Sequence, residues 1–161
     1  MYKVLHVSDL HYDSKEKTNG RVDAKVDIGI SSSIEKEFFV TLTKYLSNIK
    51  ENNEKINLFV ISGDIINGWD RKAQMQFSQK FIKLIKQQGY DKKDIMVVPG
   101  NHDVKKGSSI SSEERYLEFT ESWSGCSLPY LDGVYTSCDI SIDEKNNIMF
   151  IVEFRQFFFL Y

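Results

Sequence analysis

At 161 residues, 41% hydrophobic and 13% aromatic, the chain has the length and composition of one packed domain rather than a disordered segment. A formal net charge of −2 leaves no basic footprint for tight non-specific binding to nucleic acid. Cys126 and Cys138 are the two cysteines and have no Cys-x-x-Cys spacing, so they suit a reducing compartment, with a disulfide between them left open.

Tyr2-Lys3-Val4-Leu5 begins directly on a strand-like pattern. No basic and apolar leader precedes it, so no signal peptide is expected and the expected location is cytoplasmic. Val4 to Val7 predicts the first strand. A polar segment from Tyr12 to Ser31 follows, long enough for a lid or binding loop and equally consistent with a solvated surface loop. Ser32 with Glu35 forms a capping-box pattern that opens a helix. Its core stripe is expected to be Ile34, Phe38, Leu42, Tyr45, Leu46 and Ile49, ending near Glu51-Asn52-Asn53.

Leu58 to Ile61 predicts the second strand. Arg71 to Gln88 predicts a helix with Ala73, Phe77, Phe81, Leu84 and Ile85 on its buried face and Gly89 as its terminal glycine. Ile95 to Val98 predicts the third strand. Beyond it, Ser111 with Glu114 marks a short helix through Glu121. Val134–Ile142 and Ile148–Glu153 predict a hairpin around the polar turn Asp143 to Asn147. The longest apolar run, Phe157 to Tyr161, is far shorter than the roughly 20 residues that cross a bilayer, so no membrane partner is expected.

The alternation β-α-β-α-β indicates an α/β fold, and in an open sheet the loops leaving the carboxyl ends of parallel strands converge on one crevice. Three clusters occupy those loops: Asp9-Leu10-His11, Gly63-Asp64 and Gly100-Asn101-His102-Asp103. Asp9 and His11, one residue apart in an extended stretch, can turn to one ion. A carboxylate and an imidazole together suit manganese, iron or zinc better than calcium. Gly63 lets the chain turn sharply so that the Asp64 carboxylate approaches closely. Asn101 adds a neutral oxygen, and Asp103 is placed to orient the His102 ring.

Asp-x-His alone is an ordinary loop and Gly-Asp alone weaker still; Gly-Asn-His-Asp directly after the Val-Val-Pro strand end is much more specific, and three clusters in order at strand ends are more specific again. His6, inside the first strand, reads as a hydrogen-bonded structural histidine. Trp69 reads as core or rim packing rather than a stacking platform. Lys105-Lys106-Gly107 reads as a solvated loop rather than a phosphate site.

The three clusters, with Gly63-Asp64-Ile65-Ile66-Asn67-Gly68 in full, resemble the calcineurin-like metallophosphoesterase superfamily, strongly over about the first hundred residues. The resemblance implies a four-layer α/β/β/α sandwich around two divalent metal ions. It gives Asp9 and His11 to the first metal, Asp64 to both and Asn101 to the second. It makes His102 the acid or phosphate-contacting group, oriented by Asp103. The implied substrate is a phosphomonoester or phosphodiester. A small nucleotide or phosphodiester is slightly favoured by the near-neutral charge, with nucleic acid still open.

The family pattern continues with three further histidines, and this chain has none after His102. Residues 1–153 are therefore expected to form a partial domain whose second sheet is cut short, with 154–161 as an aromatic tail. One metal at most is expected in this chain, and a partner covering the exposed sheet edge. The alternative reading is a non-catalytic remnant that binds metal or phosphate or acts as an interaction module.

Overall fold

The structure, a computed structural model, describes residues 2–12, 32–105, 107, 109–128, 138–143 and 148–153. The long polar segment beyond Tyr12, the hairpin turn, residues 134–137 and the aromatic tail lie outside them. The elements in order are β1 (Val4–Val7), α1 (Ser32–Glu51), β2 (Leu58–Ser62), α2 (Arg71–Gln87), β3 (Ile95–Val98), α3 (Ser112–Ser122), β4 (Cys138–Asp143) and β5 (Ile148–Glu153). A short 3-10 turn, Lys92–Asp94, leads into β3; the sequence reading placed no element there. Among the described residues no helix is long and apolar enough to cross a membrane.

Three parallel strands form one sheet in the order β1-β2-β3, with Val4 opposite Leu58 and Phe59 opposite Ile95. Parallel neighbours need a crossover, and α1 and α2 provide it. The two crossover helices and the sheet share one core. Phe59 and Ile61 of β2 and Ile95 and Val97 of β3 are fully enclosed, together with Leu46 of α1 and Phe77, Phe81 and Ile85 of α2.

Phe77 is the hub of this core. Its ring lies 5.7 Å from Tyr12, 5.6 Å from Phe39, 6.0 Å from Phe81 and 6.3 Å from Trp123, so one side chain links both crossover helices, the residue after α3 and the end of the β1 loop. Aromatic pairs at such separations add to the area they bury.

The helix ends follow from capping chemistry. Asp70 stands just before α2 and accepts from the Lys72 and Ala73 amides at 2.9 and 3.2 Å. Gly89, at φ +89°, closes the other end as expected. Ser111 accepts from the Glu114 amide at 3.1 Å, but the Glu114 carboxylate turns to Lys105 at 2.7 Å, so only half of that capping box forms. One expected core residue is corrected: Tyr45 is 49% exposed. Helical geometry puts it about 100° from Leu46, which occupies the centre of the buried stripe.

The free side of β3 is partly covered by its own chain. Ser127 donates to Ile95 at 2.8 Å and accepts from Val97 at 2.9 Å, forming a single parallel bridge. β4 and β5 pair antiparallel in the expected hairpin, with Cys138 opposite Glu153 and Asp143 opposite Ile148. Among the described residues they form a two-stranded sheet of their own.

Candidate metal centre

Backbone pairing between β1 and β2 continues past the strands into the two loops that follow. The amides of Asp9, His11 and Tyr12 donate to the carbonyls of Gly63, Asp64 and Ile65 at 3.1, 3.0 and 2.7 Å, and the Asn67 amide returns to the Tyr12 carbonyl at 2.9 Å. This continuation uses an unusual backbone. Asp9 (φ +52°), His11 (+46°) and Asp64 (+47°) all sit in the left-handed region, where a Cβ crowds the following carbonyl. Three such residues in one crevice mark a site whose side-chain directions are imposed by the surroundings.

Those directions converge. One donor atom from each of Asp9, His11 and Asp64 lies within 4.8 Å of the others, with Asp9 exposed and the other two half-buried. Ions bound at about 2.0–2.2 Å place opposite donors up to about 4.4 Å apart, so three donors within 4.8 Å lie near the spacing one ion spans and leave a position open. The donor set fits a divalent transition ion: two hard carboxylates and one borderline imidazole.

The third loop closes on the same carboxylate. The Asn101 amide end lies 3.2 Å from both oxygens of Asp64. With its NH2 inward it donates to them; with its oxygen inward the groups repel unless a cation lies among them. The His102 backbone amide donates to Asp64 Oδ1 at 3.0 Å, and the His102 ring stands edge-on to His11 with centroids 5.3 Å apart. The close approach depends on glycine. A Cβ on Gly100 would lie 2.2 Å from Asp64 Oδ1 and 2.3 Å from the Asp64 nitrogen. One on Gly63 would lie 3.0 Å from the Gly100 Cα.

Asp103 departs from the sequence reading. It is 2% exposed, and its carboxylate takes three backbone donors: Ile65 and Ile66 on Oδ1 at 2.9 and 3.0 Å, and Gly100 on Oδ2 at 2.8 Å. The expected orientation of the His102 ring by Asp103 is corrected: no hydrogen bond joins the two among the described residues, and the Asp103 carboxylate turns to main-chain amides instead. His102 Nδ1 is buried with no partner among the described residues. Burial pushes the Asp103 carboxyl up to about 7, and the nearby Asp64 charge pushes the same way. The Gly100, Ile66 and Ile65 amides pull it down without offsetting burial.

Around the rim, His6 is exposed and its Nε2 lies 2.5 Å from Ser62 Oγ, the hydrogen bond expected of it. Trp69 is 39% exposed, with the Lys105 ammonium 5.9 Å from its ring centroid. That ammonium is also bound to Glu114, which raises the Lys105 pKa.

All four expected metal-binding residues, Asp9, His11, Asp64 and Asn101, meet in one crevice, with His102 alongside. Sequence reasoning missed the close packing at Gly100, whose signal is the glycine directly before Asn-His-Asp. It also missed the left-handed backbone of Asp9, His11 and Asp64.

The model of the calcineurin-like phosphoesterase family matches residues 2–158, and the chain belongs to that family. No individual curated protein matches it. Family membership and the Asp9-His11-Asp64 group together support a phosphoesterase-type function with divalent metal binding.

Proposed function

We propose that this chain binds one divalent ion through Asp9, His11 and Asp64 and hydrolyses a phosphomonoester or phosphodiester there. The observation that carries the reading is the convergence of three donor atoms, from loops that follow two different strands, within 4.8 Å. A bound divalent ion supplies charge stabilisation for the phosphoryl group and a nucleophile at neutral pH.

The chain's own residues do the rest. Asp9 and Asp64 bring negative charge to hold the cation, and His11 adds a neutral donor that narrows selection toward manganese, iron or zinc. Asn101, against Asp64, offers a neutral oxygen beside the same group. His102, beside His11, carries the positive charge or proton that a phosphoryl oxygen or a departing alkoxide needs. Small phosphodiesters and nucleotides are the favoured substrates.

The donor count favours a second reading, in which the chain binds metal or phosphate without turning substrate over. One group of three ligands is found among the described residues, where two-metal catalysis asks for more. One experiment separates the two. The full chain, stripped with EDTA and reloaded with Mn2+, is titrated for bound metal and assayed on bis-p-nitrophenyl phosphate. Binding of about one ion with slow, metal-dependent turnover is expected. Metal binding without turnover selects the second reading; absence of metal binding removes the first and the metal arm of the second, and a titration with inorganic phosphate decides the rest.

A further inference from the structure

We infer that Asp103 is a positioning residue, a buried clasp that holds Asp64 and the Gly100–His102 loop in ligand geometry. This deepens the metal-centre reading above and rests on it for its consequence, while its first readout needs no metal.

The contacts run both ways between two loops. The Asp103 carboxylate binds the amides of Ile65 and Ile66, the two residues directly after Asp64. The Asp64 carboxylate in turn accepts from the amide of His102, the residue directly before Asp103. Asp103 Oδ2 closes the circuit on Gly100, whose backbone leaves no room for a side chain against Asp64.

Two successive amides aimed at one oxygen form an anion-binding concavity, and such concavities arise where the backbone takes a left-handed residue. Asp64 is that residue, directly preceded by Gly63 at φ +77°. The Asp103 carboxylate therefore occupies the place of an anion and selects the backbone turn that aims Asp64 into the crevice. Without it, Ile65 and Ile66 lose a buried acceptor, and the bonds left to the Asp64 turn, from the His11 and His102 amides, are not expected to hold it left-handed alone.

The two neutral replacements act differently. Asn at 103 keeps one carbonyl oxygen for Ile65 and Ile66 but turns an NH2 toward the Gly100 N–H, so only the tie within the third loop is cut. Ala at 103 cuts all three ties.

The test uses the full isotope-labelled chain, metal-free, as wild type, Asp103→Asn and Asp103→Ala. Backbone carbon shifts and the amide coupling constant of Asp64 report its φ, and hydrogen exchange reports the His102 amide. In Asp103→Asn the His102 amide is expected to exchange at least about tenfold faster while Asp64 stays left-handed; in Asp103→Ala Asp64 leaves that region. Mn2+ titration should show affinity weakened about 10- to 100-fold, the usual effect of removing a group that orients ligands.

A merely structural Asp103 would lower the melting temperature of both variants. Well below that temperature it would leave the Asp64 shifts, His102 exchange and Mn2+ affinity as in wild type, and that result overturns the assignment. If Asp103→Ala does not fold, Asp103→Asn decides through His102 exchange. If wild type binds no Mn2+, the metal-centre reading fails, and the NMR readouts still decide whether Asp103 acts as a clasp.

Discussion

The two halves of the candidate centre are held in different ways. The Asp64 and Gly100–Asp103 loops interlock through a buried carboxylate, reciprocal amide bonds and a glycine contact with no room for a Cβ. The Asp9–His11 loop is more exposed and leans on that frame through backbone bonds and the edge-on contact of the His11 and His102 rings, with Tyr12 pinned in the core against Phe77 as its anchor. The difference teaches that, of the three candidate donors, Asp64 is the most firmly held, by the His102 amide and the Gly100 contact, while Asp9 is the most exposed.

The strongest way to break this comparison is at the ligands themselves. Asp64→Asn is expected to abolish Mn2+ binding measured by equilibrium dialysis, because it takes the charge from the most firmly held donor and weakens the acceptor of the His102 amide together. Asp9→Asn should cost only about tenfold, since the amide keeps one oxygen donor and no loop depends on it. Equal losses would show that the two halves are not distinct.

Next in size is the anchor of the leaning half. Phe77→Ala should destabilise the protein by about 3–5 kcal/mol in urea unfolding, as for other large aromatic deletions from a packed core. It should also weaken Mn2+ binding through Tyr12. Unchanged affinity would detach the Asp9–His11 loop from its core anchor.

The clasped half has a pH signature. The Asp103 carboxyl is raised from 3.8 to about 7 in the folded protein, so the fold binds its proton more tightly than the unfolded chain does. That contribution is complete below about pH 4 and is lost as pH rises toward 7, by up to about 4 kcal/mol. Urea titrations of metal-free wild type at pH 4.5 and 7.5, each referenced to Asp103→Asn, isolate it. A wild-type advantage that grows as pH rises would reverse the sign and show the three amide bonds outweighing burial.

The smallest effect lies outside both halves. Asp70→Ala removes the α2 cap and should cost about 1 kcal/mol, with Mn2+ affinity unchanged.

Much of the frame was legible because local patterns and global packing agree. The apolar runs Leu58–Ile61 and Ile95–Val98 became enclosed parallel strands, and Ala73, Phe77, Phe81 and Ile85 became one buried helix face. Tyr45 shows the limit of periodicity: a position at the margin of a stripe goes inside or outside according to which neighbour takes the centre. The Ser127 bridge to β3 depends on a return of the chain from beyond α3, which no local pattern encodes.

At the site, residue types and spacing were enough to nominate Asp9, His11, Asp64, Asn101 and His102, because metal chemistry restricts which side chains can serve. The role of Asp103 was not legible. Adjacency in the chain suggested the His102 ring as its partner, while its real partners, the Ile65 and Ile66 amides, lie 38 and 37 residues away in sequence.

Thus the order of strands and helices and the chemical identity of the candidate donors are properties of the chain itself, set by side-chain period and donor type. That Asp103 is satisfied by backbone amides while the Asp64 carboxylate stands among the other candidate donors was decided by the tertiary structure. Burial strips Asp103 of water and leaves main-chain amides as its donors, whereas Asp64, half-buried at the crevice, is held left-handed with its carboxylate among the other donors.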